Sequence, residues 1–369
     1  MKKILFLIHD LGPGGAEKVL VNLVNNMDRD KFDVTVVAMF GGGVNEQFLA
    51  PHIHYRAIFK KMFRGNSHVM KLFSPKGLYK RYVKDRYDIA VSYLEGPSAR
   101  VISGCPYEGT KLVSWIHVEQ HSKKVAAQAF RGYNESVKCY KKFHTTVCVS
   151  EYVKSDYLSI YPMLTNACVL YNTNESSRIV EKSLEKIDDA FDKSRIHLVG
   201  VGKLMPNKGF DRLLRIVKRL RDEEYPVHLH ILGIGPQQEA LERFVKEQNL
   251  APDVTLHGYD TNPYKYVAKS DLFVCASFAE GFSTAATEAL IVGTPVCTVE
   301  VSGMKEMLGE NNEYGIVTEN NEEALYEGIK QLLDDPALLE HYTKQAAIRG
   351  KDFSTEKTVK AVEDMLLSL

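Results

Sequence analysis

Six cysteines in 369 residues, none in a C-x-x-C or other pair-like spacing, give this chain neither a disulfide framework nor a thiolate metal motif. Cys105, Cys139, Cys148, Cys168, Cys275 and Cys297 read as free thiols of a reducing compartment, several of them inside apolar runs. Long hydrophobic runs are missing as well. No stretch approaches the roughly 18 apolar residues of a spanning helix. The apolar run after Lys2 and Lys3 ends at His9 and Asp10, too short for the core of a secretory signal, and no small-residue cleavage site follows. A cytoplasmic protein is expected. No metal is expected either: His117-Val118-Glu119-Gln120-His121 carries its Glu in the wrong place for H-E-x-x-H, and no third ligand is evident. There is no P-loop, because His197 occupies the place of the first glycine and Leu204 that of Ser/Thr. Internal repeats and low-complexity tracts are absent beyond a loose parallel between two halves.

Net charge is also absent, with 47 Lys+Arg against 47 Asp+Glu, but the balance conceals an asymmetry. Residues 1–180 hold 25 basic and 15 acidic side chains and the remainder 22 and 32, a split of +10 and −10. The first half is therefore the one expected to face something anionic. Within it, residues 59–86 carry nine Lys/Arg opposed only by Asp85, interleaved with Phe59, Met62, Phe63, Met70, Leu72, Phe73, Leu78, Tyr79, Tyr82 and Val83. That mixture suits contact with an anionic membrane surface, although a solvated face with a buried stripe gives the same pattern. No nucleic-acid recognition module appears, and the second half is acidic, so nucleic acid is not an expected partner.

What the chain does have is ordinary globular composition, 44% hydrophobic and 25% charged, and length for about two domains. Short apolar runs at 4–8, 34–39, 53–58, 89–93, 111–116, 145–149 and 167–171 alternate with helix-period segments. After a charged stretch beginning Asn172-Thr173-Asn174-Glu175, the alternation resumes at 196–201, 227–232, 254–256, 272–276, the run after Pro295, and 314–318. Helices follow from 322 to about 349, and a last amphipathic helix runs over 353–369. Strand–helix alternation of this kind predicts an α/β fold with doubly wound parallel sheets.

The most informative stretch is 271–300. A strand breaks at Ser277, a helix starts at Ser283 and Thr284, and Gly293 and Pro295 end it. The free N–H groups at such a helix start attract phosphate. Glu280 in the loop and Glu288 in the helix remain able to accept hydrogen bonds from hydroxyl groups attached to that phosphate. Lys203 and Lys208, five apart across a loop after the strand 196–201, can grip a diphosphate from another side. Gly202 and Gly258 follow strands directly, and Gly12-Pro13-Gly14-Gly15 makes a turn that lets a ligand approach the backbone. No acidic residue ends the second strand, so a dinucleotide is disfavoured.

In this context the E-G-F-S-T run of 280–284 with Glu288 and the closing G-T-P-V resembles the donor site of retaining, nucleotide-sugar-dependent glycosyltransferases with the GT-B fold, of the group 1 or family 4 type. Gly14-Gly15-Ala16-Glu17, His117 and the 202–209 loop occur in the order that family shows, so the resemblance spans nearly the whole chain. It implies two Rossmann-like doubly wound domains facing across a cleft: an acceptor-binding domain over 1–178, a linker over 179–194, a nucleotide-sugar-binding domain over 195–352, and a helix over 353–369 crossing back to the first domain.

By the same resemblance Gly14 and Gly15 let the first domain close over the donor, and His117 meets the donor sugar. Lys203 and Lys208 contact the diphosphate, although Lys203 stands where Arg is usual and loses its planar fork. Gly258 and Tyr259 receive the nucleobase, Gly281, Phe282, Ser283 and Thr284 line the donor site, Glu280 holds sugar hydroxyls and Glu288 the ribose. The implied reaction moves a hexose or N-acetylhexosamine from a UDP-linked donor, with retention and without bound metal or cofactor, to a saccharide or polyprenyl-linked acceptor, at the inner face of the cell membrane. Alternatives on the same fold are a sugar-nucleotide 2-epimerase, disfavoured by the G-G-A-E turn and the E-x7-E context, and a non-catalytic partner subunit.

Overall fold

The computed structural model describes residues 1–61, 66–187, 191–280 and 282–369. The chain divides into two compact units, Met1–Asn174 together with Thr355–Leu369, and Glu175–Ser354. Each is built on an all-parallel sheet with helices in the connections, and both are Rossmann-like.

In the first unit the strands are β1 (Lys2–Ile8), β2 (Phe32–Phe40), β3 (His54–Phe59), β4 (Ile89–Ser92), β5 (Lys111–Ile116), β6 (Thr145–Cys148) and β7 (Ala167–Val169), in the order β3-β2-β1-β4-β5-β6-β7. Residues 4–8 of β1 are fully buried, as expected of a central strand covered on both faces, and this is why the run reads as continuous rather than alternating. Strand order reverses between β1 and β4. Beyond that point, where ligands gather in open α/β sheets, lie the turn at 12–15 and the end of β4. The helix Thr355–Ser368 belongs to this unit. It buries Val359, Val362 and Leu366, and its Glu363 accepts from the Asp28 backbone N–H at 2.6 Å.

In the second unit the strands are β8 (Ile196–Val201), β9 (Val227–Leu232), β10 (Val254–Gly258), β11 (Leu272–Cys275), β12 (Val296–Val299) and β13 (Ile316–Thr318), ordered β10-β9-β8-β11-β12-β13. Here the reversal falls between β8 and β11. The helix Phe210–Asp222 illustrates how the layers are held. Leu213, Leu214, Val217 and Leu220 face the sheet, while Arg215 pairs with Asp211, Lys218 with Asp222 and Arg219 with Glu223 at i,i+4 on the outer side. Part of the stretch expected to link the domains is a helix of this unit, Ser176–Ser183, which buries Ile179 and Ser183 and whose Lys182 carbonyl accepts from Asn262 Nδ2 at 2.9 Å.

The first three strands of this unit carry a row of histidines. His197 Nε2 contacts the Asp192 carbonyl at 2.9 Å, His197 Nδ1 contacts His230 Nε2 at 2.9 Å, and His230 Nδ1 contacts His257 Nε2 at 2.9 Å. A carbonyl can only accept, so the neutral row runs one way: His197 donates to Asp192, His230 to His197, and His257 to His230. Burial, with the neighbouring histidines, pushes the His230 imidazole down to about 3.

Candidate functional site

At the second unit's switch point, β11 ends at Cys275 and the chain loops to Ser283, the N-cap of the helix Thr284–Ile291. Ser283 Oγ accepts from the Ala286 N–H at 3.3 Å. The Ala286 amide is thus taken by the cap, and Thr284 and Ala285 supply the other amides of a helix start, the kind of end that attracts anions. The opposite wall is the loop after β8, which closes with a 3-10 turn over Pro206–Lys208.

The two loops are tied to each other. The Phe278 N–H donates to the Asn207 carbonyl at 2.7 Å, and Gly209, at φ +66°, lets them touch: a Cβ there would stand 1.9 Å from the Ala276 carbonyl oxygen. This junction brings Lys208 onto Glu280. Lys208 Nζ donates to Glu280 Oε1 at 2.6 Å, and Ser277 Oγ donates to the same oxygen at 2.6 Å. The Lys208 and Glu280 side chains are 27% and 10% exposed, so the pair is screened only in part and its electrostatics are strong. Burial, with the Glu280 charge beside it, pushes the Cys275 thiol up, so it stays protonated and is a poor nucleophile. Lys203 lies exposed on the same loop and makes no ion pair with any described residue.

Glu288 is buried, with Tyr264 Oη donating to its Oε1 at 3.3 Å. Gly258 closes β10 at φ +71° with nothing within 4 Å of a Cβ, so its backbone shape rather than crowding calls for glycine, and Tyr259 beside it is 71% exposed. Gly202 differs: a Cβ would meet only Phe210, at 3.8 Å. Phe282 points inward against Phe353, ring centres 5.8 Å apart, which anchors the helix start. Thr284 is half-buried as the first helical residue. Gly281 lies outside the described residues.

In the first unit Gly14 is the N-cap of the helix Gly15–Asn26, directly after the β1 turn. His117 follows β5, buried against Tyr93 at 4.9 Å between ring centres, and its N–H donates to Glu95 Oε2 at 3.0 Å. Burial pulls this imidazole down to about 3, and its Nε2 is buried with no hydrogen-bond partner. A neutral ring with an unsatisfied buried nitrogen, one strand from the switch point, is the unexplained polar group of this unit.

The basic segment divides. Met70, Leu78, Tyr79, Tyr82 and Val83 turn inward as core, whereas Val69, Leu72 and Phe73 are exposed among Lys60, Lys61, Lys76 and Lys80. Residues 62–65 lie outside the described residues. The carbonyls of Met70, Lys71, Leu72 and Phe73 are gripped by Arg100 and Arg131, which fixes the end of the helix Asn66–Leu72.

Three partners escaped the sequence reading: Ser277 on Glu280, Tyr264 on Glu288, and Arg212. Arg212 Nε donates to the Ala276 carbonyl at 2.7 Å and Nη2 to the Ser277 carbonyl at 3.0 Å, holding the loop from beneath. A signal for it existed, since Arg212 falls on the apolar stripe with Ile216 and Leu220 rather than among the outward charges. Among the described residues no group of three or more His, Cys, Asp or Glu is placed to hold a metal, and no helix is long and apolar enough to cross a membrane.

Comparison with known proteins agrees with this fold. The model of the family "Glycosyltransferase Family 4" matches residues 13–173, and that of "Glycosyl transferases group 1" matches residues 182–349. The chain is 28% identical over 380 residues to N-acetylgalactosamine-N,N'-diacetylbacillosaminyl-diphospho-undecaprenol 4-alpha-N-acetylgalactosaminyltransferase of Campylobacter jejuni, covering 100% of both chains. It is 24% identical over 372 residues to the lipopolysaccharide core biosynthesis glycosyltransferase LpsD of Rhizobium meliloti, covering 98% of this chain and 96% of that one. The fold matches HepE from Anabaena, solved in complex with UDP, with a TM-score of 0.77 at 18% identity over 100% of both chains. Two family models in series, on two Rossmann-like units, make one assignment: the chain belongs to the GT-B glycosyltransferases of the group 1 and family 4 type.

Proposed function

We propose that this glycosyltransferase moves a hexose or N-acetylhexosamine from a UDP-linked donor to a saccharide carried on a polyprenyl diphosphate, with retention at the anomeric carbon and without a bound metal. The observation that carries the donor site is the meeting of Lys208, Glu280 and the open helix tip at Ser283 and Thr284 around one switch point. In this reading the diphosphate takes Lys208 from Glu280 and lies against the tip, with Lys203 as a second cation. Glu280, released, accepts from sugar hydroxyls, and Glu288 from the ribose. As the bond from the anomeric carbon to the diphosphate breaks, negative charge grows on the leaving oxygens, where these donors already stand. The acceptor hydroxyl forms its bond to the anomeric carbon on the same face, and its proton passes to the departing diphosphate oxygen. Neither carboxylate is assigned as a covalent nucleophile.

The lipid-linked acceptor is supported by the Campylobacter relative, whose name specifies transfer onto a diphospho-undecaprenol-linked sugar, and by the +10 charge of residues 1–180. The exposed Val69, Leu72 and Phe73 among lysines suit an anionic bilayer surface. Nucleoside diphosphate release across UDP-, GDP- and ADP-sugars, with and without a polyprenyl-diphosphate saccharide, tests the reading. Acceptor-dependent UDP release, absent in Lys208→Ala, is expected. Acceptor-independent turnover, or full activity of that variant, refutes it. Sedimentation with vesicles tests the surface: equal binding to neutral and anionic vesicles at low salt counts against it.

A further inference from the structure

Arg212 is 2% exposed, yet the oxygens it reaches are all uncharged. Besides the Ala276 and Ser277 carbonyls, Nη1 donates to Asn320 Oδ1 at 3.0 Å, and the guanidinium carbon stands 4.2 Å from the centre of the Phe278 ring. Among the described residues no carboxylate comes within ion-pair distance of it. Asp211 and Glu322, whose charges act on it, are both taken by Arg215, at 3.1 and 2.9 Å. Burying a cation without a counter-ion is costly. Neutral donors could satisfy two carbonyls and an amide, so the charge calls for its own explanation.

The loop's connections supply one. Arg212 clamps the backbone at 276 and 277, Ser277 Oγ holds Glu280, and Glu280 holds Lys208. Gly209 leaves the space for this clamp, because a Cβ there would also come within 3.1 Å of Arg212 Nε. The guanidinium therefore holds the backbone of the loop whose Ser277 and Glu280 hold the ammonium.

We propose that Arg212 is a positioning residue of the donor site, fixing the Glu280 loop and holding beneath it a positive charge that the donor's diphosphate neutralises from above. The proposal rests on the donor-site reading given above. It separates two roles, geometry and charge, and the charge role is the new one.

Asn320→Asp tests the charge role without removing the clamp. The substitution keeps an acceptor at the 3.0 Å position and gives the buried guanidinium a counter-ion, so a purely structural Arg212 gains or is unaffected. Asn320→Asp gives up only the Asn320 Nδ2 donation to the Phe278 carbonyl, at 3.4 Å, whereas Asn320→Ala gives up both that bond and the one from Arg212 without adding charge, and serves as the control. UDP, GDP and ADP are titrated calorimetrically at low salt against the full chain and both variants, with melting temperatures recorded for each unliganded protein. The expected result is nucleoside diphosphate binding by the unaltered chain, weakened on the order of fivefold in Asn320→Asp, with an unchanged or raised melting temperature. Donor KM should rise by the same factor, acceptor KM should stay constant, and Asn320→Ala should bind within about twofold of the unaltered chain. Equal affinity in Asn320→Asp overturns the proposal while leaving the donor site standing. Failure of the unaltered chain to bind any of the three nucleotides overturns the donor-site reading and this proposal with it.

Discussion

Replacing Glu280 by Gln separates the two tasks assigned to that carboxylate. In the unliganded protein Glu280 Oε1 accepts from Lys208 Nζ and from Ser277 Oγ, each at 2.6 Å. A Gln amide oxygen can keep both bonds, so the fold should survive. What it loses is the charge in a charge-assisted bond, a cost of about 1 kcal/mol in stability. For the nucleotide the change is favourable, because Lys208 is freed from an anionic competitor and a negative charge beside the incoming diphosphate is removed. One unit charge at roughly 6 Å and an effective dielectric of about 60 is worth about 1 kcal/mol, or roughly fivefold in affinity. For the sugar it is unfavourable, because hydrogen bonds from hydroxyls to a carboxylate are about twice as strong as those to an amide. A loss of roughly 3–4 kcal/mol at the transition state corresponds to kcat/KM falling about 10²–10³-fold. UDP should therefore bind tighter to Glu280→Gln by calorimetry while turnover of the UDP-sugar collapses. Weaker UDP binding together with intact turnover would refute the reasoning and reduce Glu280 to a brace for Lys208.

Two glycines of the same loop should behave oppositely. Gly209→Ala drives a Cβ to 1.9 Å from the Ala276 carbonyl at φ +66° and should cost at least ~2 kcal/mol in urea unfolding, whereas Gly202→Ala, with 3.8 Å of room, should leave stability unchanged and raise donor KM. An unaffected donor KM in Gly202→Ala would mean that no ligand approaches that backbone. Stability should also fall on acidification. His117 and His230 are pulled from the ordinary 6.5 to about 3, so between those values the unfolded chain binds more protons than the folded one. Their stabilisation is full above 6.5 and is lost as pH drops toward 3, by up to ~1.4 kcal/mol per pH unit for each ring. Urea midpoints at pH 7 and pH 5 check this, and coincident midpoints contradict it. Tyr264→Phe removes the 3.3 Å donor to Glu288 and should lower UDP affinity severalfold with little change in kcat. An equal loss in kcat would place Glu288 nearer the chemistry than the ribose.

Much of this architecture is legible in the letters, because parallel strands buried on both faces leave continuous apolar runs. All thirteen strands overlap the runs singled out above, the central ones as continuous apolar stretches and the edge strand β3, with His54 and Arg56 and no fully buried residue, as a mixed one; edges shift, 53–58 becoming His54–Phe59 and 314–318 becoming Ile316–Thr318. The helix after the loop runs Thr284–Ile291, one residue inside each expected end, since Ser283 caps it rather than joining it. The pairing within the candidate site was not legible. The family resemblance assigns Lys208 to a phosphate and Glu280 to a sugar, and only the fold brings β8 beside β11 and puts the two side chains in contact. Arg212 hides in an otherwise amphipathic helix because its role depends on carbonyls more than sixty positions away. The row His197, His230 and His257 is invisible for the same reason, its members lying on three adjacent strands, with His230 opposite Val199 and Thr255 rather than opposite the other two histidines.

The most direct measurement is a crystal structure of the full chain with UDP bound. The account predicts the diphosphate against the amides of Thr284 and Ala285, with Lys208 turned from Glu280 to a phosphate oxygen and Glu280 opened toward the sugar position. Density for the nucleotide elsewhere, with the Lys208–Glu280 bond still closed, contradicts it.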